Sequence, residues 1–363
     1  MDKNILQAND LRRNVGIDAF RLYAMFSVVA LHTLGHGGIL KNASGAGFAV
    51  SWFLETLFLA AVNCYGLISG FVGYRKKARN VQLSKYLELW LQVVLYSVGL
   101  TVIIQVVTGN FDVKELLKAC LPVTSSRYWY FTAYTAVYFA MPWINRLIGV
   151  CSEGETRRLL LLLVAFVVYN SIANVVYDPI KLSGGYSFVW LAILYLTGAC
   201  IKKLDIAAKV KKWQCVVCSV ILLMFTWVTK LVTSDVNLLT TYTSVTIAGS
   251  AVALLLLFSK LNIERIGRCV VSAFAPCAFG VYLIHDHPLV REFLIIDSFE
   301  WIAKNPFYLI PLWVLLVSGC IFALCLLIDK LRQIFFSFAD VHKVCARVES
   351  ILKLSYEWIL EKY

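Results

Sequence analysis

The stretch from Ile17 to Leu34 reads IDAFRLYAMFSVVALHTL, eighteen residues in which the only ionisable groups of ordinary acid–base range are Asp18, Arg21, His32 and one tyrosine. A helix rises about 1.5 Å per residue, so a block of this length nearly crosses a hydrocarbon layer of ~30 Å. Outward from it the same pattern repeats, giving ten predicted spans at 17–34, 48–73, 86–107, 128–148, 159–176, 186–201, 213–232, 239–258, 270–287 and 307–329. The 363 residues are 60% hydrophobic and 15% charged. An average soluble domain is about one quarter charged, so a water-soluble enzyme built on one core is excluded. In lipid the backbone must satisfy its own polar groups as helices or a closed barrel, and the alternating ten-residue strands of a barrel are absent from the sequence. The expectation is an all-α integral membrane protein, a bundle of about ten transmembrane helices.

The formal net charge of +12 does not point to nucleic acid, because the 34 Lys and Arg lie between the apolar blocks and not on one soluble face. With ten spans, 25 of them fall on the side shared by both termini, 8 fall opposite, and Arg21 lies inside the first span. Lys and Arg accumulate on the cytoplasmic side, so both termini are expected in the cytoplasm and the protein in the plasma or inner membrane, surrounded by lipid. The chain then divides into a cytoplasmic tail at 1–13, a membrane domain at 14–330 and a cytoplasmic amphipathic helix at 331–363. In that last segment Ile334, Phe338, Val341, Cys345, Val348, Leu352 and Ile359 form one stripe. Such a helix lies on the inner leaflet or binds a partner, a homodimer included. Lys3, Arg12 and Arg13 precede the first span without a small-residue cleavage site, so a removable signal peptide is not expected. The eleven Cys are scattered, mostly in apolar spans, and the close pair Cys215 and Cys218 has no second pair or nearby His to complete a metal site.

Ionisable groups inside spans are expensive and are the default place to look for function. Arg21 and His32 are eleven positions apart, three turns plus ~20°, so they share one helix face about 16 Å apart. Alone, Arg21 reads as a snorkelling interfacial cation and His32 as a packing residue, and their common face argues against both. The second span carries Glu55 near one end and Ser69-Gly70-Phe71 near the other. Glu55 is expected at the outer end, at a depth where a carboxylate orients a His. The ninth span ends in Tyr282-Leu283-Ile284-His285-Asp286-His287, so His32, His36, His285, His287, Glu55 and Asp286 all gather in the outer half. No metal is expected there. His285 and His287 are two apart and point to different faces, and His32 and His36 meet only if the helix continues through Gly35. A proton relay in a transporter fits the same groups, but no matching halves are found.

The spacing of Arg21 and His32 resembles the Arg-x10-His signature in the first helix of the acyltransferase 3 family of bacterial membrane acyltransferases. Three further pieces follow in order. Ser69-Gly70-Phe71 is similar to the family's Ser-Gly-Phe, Tyr128-Trp129-Tyr130 with Pro142 to its Trp-Tyr…Pro helix, and Tyr282-Leu283-Ile284-His285 to its Tyr-Leu-Ile-His. The resemblance covers roughly residues 14 to 330. One departure concerns the third helix, where many members carry closely spaced arginines followed by Pro and this chain has Ser84-Lys85-Tyr86-Leu87-Glu88-Leu89-Trp90.

The resemblance implies transfer of a short acyl group, usually acetyl, from cytoplasmic acyl-CoA as co-substrate to a hydroxyl of a surface polysaccharide or lipid-linked glycan precursor, with no bound cofactor. A sugar hydroxyl is a poor nucleophile at neutral pH, and a positioned His removes its proton during attack on the thioester. His32 is then the expected base, with Arg21, Glu55 and His285 assisting. Arg21, Ser69, Arg75, Lys76 and Lys85 are expected to hold the donor, the last three in place of the missing arginines. Trp129, Tyr130, His36 and His287 are expected on the acceptor side, although aromatic belts are also ordinary at membrane interfaces. The alternative is a proton-coupled transporter or flippase of a small solute or lipid-linked sugar. CoA binding separates the two.

Overall fold

A computed structural model describes residues 14–75, 80–174, 177–178, 180–233 and 238–362, with side chains as far as Ser355. Among the described residues it is helical with no strand. The main helices are α1 Val15–Leu34, α2 Gly45–Phe58, α3 Ala61–Gly73, α4 Leu83–Thr108, α5 Val113–Cys120, α6 Trp129–Val150, α7 Glu153–Ala173, α8 Phe188–Lys203, α9 Lys212–Thr233, α10 Val245–Phe258, α11 Arg265–Phe274, α12 Ala278–His285, α13 Ile310–Phe338 and α14 Val341–Lys362. Each predicted span contains helix, but the spans predicted at 186–201 and 239–258 become helical only at Phe188 and Val245. Seven helical stretches are long and apolar enough to cross a membrane: α1, α2 with α3, α4, α7, α9, α11 with α12, and α13. The other three predicted spans correspond to α6, with Asn145 and Arg146 in its last two turns, the 16-residue α8 and the 14-residue α10.

Two predicted spans are each broken in the middle. The block at 48–73 is α2 and α3, separated at Leu59 and Ala60. The block at 270–287 is α11 and α12, separated by a 3-10 turn over Ala275–Cys277. Pro276 lies in that turn, where it removes an amide donor and obstructs a continuous α-helix. The chain after Lys330 also differs from expectation. α13 runs on to Phe338, so Ile334 and Phe338 belong to it and the predicted stripe is split between two helices. α14 turns back onto α4 through Cys345, which is 2% exposed, and through Glu349 Oε2, which accepts from the Ser84 amide at 3.0 Å.

Polar contacts fix which helix ends meet. Asn14 caps α1 and donates to the Ser259 carbonyl at 2.9 Å, placing the end of α10 beside the start of α1. At the other end Ser318 Oγ donates to Thr33 Oγ1 at 3.1 Å, so α13 starts where α1 finishes. We name the end where α1 starts the terminal face, and the other the far face. Small residues set the tightest packing. A Cβ on Gly70 of α3 would lie 1.9 Å from the Tyr195 carbonyl oxygen, and one on Gly198 of α8 would lie 2.2 Å from that of Leu67. Close backbone approach of this kind is how helices associate in lipid. The outer surface is apolar, with Leu161 and Leu162 on α7 and Ile221 and Phe225 on α9 exposed. Continuous apolar surface of this kind is what a protein surrounded by lipid presents, and it is rare on a soluble monomer.

Candidate active site

At the far face the end of α1 and the end of α12 bring two imidazoles together. His32 Nδ1 and His285 Nε2 are 3.0 Å apart, and His285 Nδ1 is 2.6 Å from the Val281 carbonyl oxygen. A carbonyl only accepts, so His285 Nδ1 carries a proton and donates it to Val281. In a neutral imidazole the other nitrogen is then an acceptor. His285 Nε2 therefore accepts from His32 Nδ1–H, and His32 Nε2 keeps its lone pair. The geometry thus selects the tautomer of His32 that acts as a base. Asp286 Oδ1 lies 3.6 Å from His32 Nδ1 and 3.0 Å from the Arg291 guanidinium. The last turn of α12 is held by Tyr128, whose hydroxyl donates to the Leu283 carbonyl at 2.9 Å.

His36 joins this group because the chain keeps a helical turn through Gly35, at φ −78° and ψ −68°, with its amide bonded to the Leu31 carbonyl at 2.8 Å. The rings of His32 and His36 are 4.9 Å apart, so the condition set by the sequence, a helical turn through Gly35, is met. The loop is pinned from outside, since the Asp297 amide donates to the His36 carbonyl at 2.9 Å. His32, His36 and Asp286 each offer a ligand atom within 4.8 Å of the others, close enough to hold a metal ion. Arg291 already places a fixed cation on Asp286, and a second cation there would be repelled. The donor set is better suited to moving a proton.

These residues line a cavity of about 180 Å³ whose other walls are mostly aromatic, with Met25, Val28 and Val62 among them. Trp129 and Tyr130 from α6 are there as expected, with Tyr65, Tyr186, Tyr242 and Tyr282. The Trp129 and Tyr186 rings are 4.6 Å apart, and Tyr186 and Tyr242 are 5.2 Å apart. Tyr242 is fixed through its backbone, its carbonyl accepting from Asn63 Nδ2 at 2.7 Å while Asn63 Oδ1 accepts from Trp190 Nε1 at 2.9 Å.

Two of the residues expected at the far face, His287 and Glu55, lie outside this cavity. His287 does not line the cavity but is fully buried on the other side of α12. Its Nε2 lies 3.1 Å from Arg127, 3.2 Å from Thr101 and 3.2 Å from the Ser97 carbonyl. Arg127 is in turn paired with Glu115 at 2.5 Å, and together with Lys118 it holds that carboxyl below its ordinary range against the opposing effect of burial. Glu55 on α2 neither lines the cavity nor bonds to His32, and its buried Oε2 has no hydrogen-bond partner. The carboxylate that reaches His32 is Asp286, which follows His285 directly in the chain.

A second cavity, about 260 Å³, opens at the terminal face below α3 and at the start of α4. Arg75 and Lys85 line it with Asn80, Gln82, Tyr138 and Asn145. Lys76 lies outside the described residues. Between the cavities runs a ladder of tyrosines on α6, one turn apart, with Tyr130–Tyr134 rings separated by 6.3 Å and Tyr134–Tyr138 rings by 6.1 Å. Tyr130 belongs to the far cavity and Tyr138 to the terminal one. Beside the ladder, Tyr65 donates to the Arg21 carbonyl at 2.7 Å and Ser69 donates to the Tyr65 carbonyl at 2.9 Å. Arg21 lines neither cavity. Its guanidinium is paired with Asp18 at 2.5 Å, at a level between them.

Arg291, Tyr186 and Tyr242 join the site without a motif that marks them in the sequence. Arg291 looks like an ordinary loop cation, and the two tyrosines lie in loops whose partners are far away in sequence. No curated protein and no solved structure matches the chain. A family model described as an acyltransferase domain matches residues 14–330, most of the chain. With the paired His32 and His285 at the far end of its membrane bundle, the chain belongs to the acyltransferase 3 family of membrane acyltransferases.

Proposed function

We propose that the protein takes an acyl group, acetyl foremost, from acyl-CoA bound at the terminal face and transfers it to a hydroxyl of a cell-surface polysaccharide or lipid-linked glycan at the far face. The terminal face is cytoplasmic in this reading, as the distribution of Lys and Arg favours, and the membrane is the plasma or inner membrane. The relay from Val281 through His285 to His32 carries the proposal, because it leaves His32 Nε2 basic at the wall of an aromatic cavity. Aromatic rings such as Trp129 and Tyr186 suit the faces of a sugar.

In the reaction His32 Nε2 takes the proton of the acceptor hydroxyl as its oxygen attacks the thioester carbonyl. The tetrahedral intermediate collapses with cleavage of the C–S bond, and the imidazolium returns its proton to the departing CoA sulfur. The products are the ester and free CoA thiol. While His32 is protonated, its Nδ1–H remains bonded to His285, and the Asp286 carboxylate at 3.6 Å stabilises the charge. Arg75 and Lys85 hold the phosphates of CoA, and the acyl arm reaches His32 along Tyr138, Tyr134 and Tyr130. Arg21, already paired with Asp18, steadies this passage and is not the main phosphate ligand.

The family is one of acyltransferases, which sets aside the carrier reading. The test is the ester-linked acetate on surface polysaccharide, measured by proton NMR in cells with and without the gene. Loss of acetate in the deletion supports the proposal. Unchanged acetate with no CoA binding by the purified protein overturns it.

A further inference from the structure

A third cavity lies outside this machinery, open to the side of the bundle between α7, α8, α9 and α10. It measures about 490 Å³ and is walled by apolar side chains such as Val167, Ile193, Cys218 and Val252. Its few polar linings include Trp190, whose Nε1 donates to Asn63, and Thr197 and Gln214. Thr197 Oγ1 donates to the Ile193 carbonyl at 2.8 Å, and Gln214 Oε1 accepts from the Lys211 amide at 2.7 Å. Gln214 is exposed at the mouth, and the body of the groove is apolar, so the part of a guest that lies inside it is a hydrocarbon.

Along α10 the groove runs from Val245 to Leu256, about 16 Å by helix rise, or one leaflet of a ~30 Å layer. It ends at Val210 and Gln214 on the terminal face, where Lys260 Nζ donates to the Val210 carbonyl. Lys211 and Lys212 are exposed beside that mouth. An ammonium has three donors, so Lys260 can reach an anion while keeping its backbone bond. A one-leaflet apolar slot with three cations at its aqueous end matches a lipid with a negatively charged head.

We propose that the groove is a binding site for an anionic phospholipid of the terminal-face leaflet, one acyl chain lying along α10 and the phosphate among Lys211, Lys212 and Lys260. Trp190, which lines the groove, holds the Asn63 that fixes Tyr242 in the far cavity. The lipid thus braces one wall of that cavity from behind.

The test titrates delipidated, detergent-purified protein with phosphatidylglycerol, phosphatidylcholine or a polyprenyl phosphate and counts retained lipid by native mass spectrometry. One phosphatidylglycerol per chain is expected, with phosphatidylcholine weaker. A lysine near an anionic lipid contributes about fivefold, so K211Q/K212Q binds phosphatidylglycerol about thirtyfold more weakly. Val252→Trp, which fills the slot, abolishes retention. Cys218→Trp fills it from α9 and serves if the first variant fails gel filtration. Equal retention of phosphatidylglycerol and phosphatidylcholine, preference for the polyprenyl phosphate, or undiminished retention by the folded Trp variants would overturn the proposal.

Discussion

Replacing His285 by Ala removes the acceptor that lies 3.0 Å from His32 Nδ1. The base remains, but nothing then fixes its tautomer or supports the imidazolium formed during transfer. A hydrogen bond to a charged group contributes about 1.5–3 kcal/mol. Each 1.36 kcal/mol of barrier is tenfold in rate, so kcat falls about ten- to 150-fold. The loss concerns the transition state and not donor binding, so KM for acetyl-CoA stays near its original value. His285→Gln keeps an oxygen that can accept from His32 Nδ1–H and recovers part of the rate. The assay is the initial rate of radiolabelled acetyl incorporation from acetyl-CoA into glycan by membrane vesicles, with protein levels matched. A His285→Ala enzyme with unchanged kcat, or one whose only defect is a raised KM, would refute the relay.

Arg75→Ala and Lys85→Ala should raise KM for acetyl-CoA about tenfold or less each, leave kcat nearly intact, and weaken the dependence of KM on salt, since surface phosphate contacts are screened. Gly70→Ala places a methyl group against the Tyr195 carbonyl. Overpacking of this kind costs about 1–3 kcal/mol, so the detergent-solubilised protein should melt earlier. Glu349 is held at about 2 by Lys353, then by the side chain and amide of Ser84. A depressed carboxylate contributes above its unfolded pKa and is lost only as pH falls toward its folded value. The contribution of Glu349 to seating α14 on α4 should therefore not change between pH 7 and about pH 5, and Glu349→Ala, which removes the acceptor of the Ser84 amide, should raise the labelling of Cys345 by a thiol reagent at a fixed pH.

The helices were legible because lipid demands long apolar blocks, and a block of that kind is a local property of the chain. The pairing of Arg21 and His32 on one face is legible for the same reason, since both lie on one continuous helix. His285 and His287 part company as their two-residue spacing dictates, one meeting His32 and the other Arg127. Contacts between helices are less legible. Glu55 has the right depth for His32, but depth does not determine which neighbour it faces, and the break at Leu59 and Ala60 makes the block two helices rather than one. Asp286 reaches His32 instead, carried there by α12. Tyr186 and Tyr242 fall at the starts of the spans predicted at 186–201 and 239–258, but the helices begin only at Phe188 and Val245, and the loops before them carry both rings into the cavity. The meeting of His32 and His36 depended on the backbone angles of one glycine, which its identity leaves free.

The central claim is that His32 Nε2 is the base, and the most direct test is acetyl transfer from acetyl-CoA by His32→Ala in membranes matched for protein amount. A positioned base contributes about 10²–10⁴-fold, so the variant should lose at least about a hundredfold in kcat while still binding CoA at the terminal face. Transfer at the original rate by a folded, membrane-inserted His32→Ala protein would contradict the account.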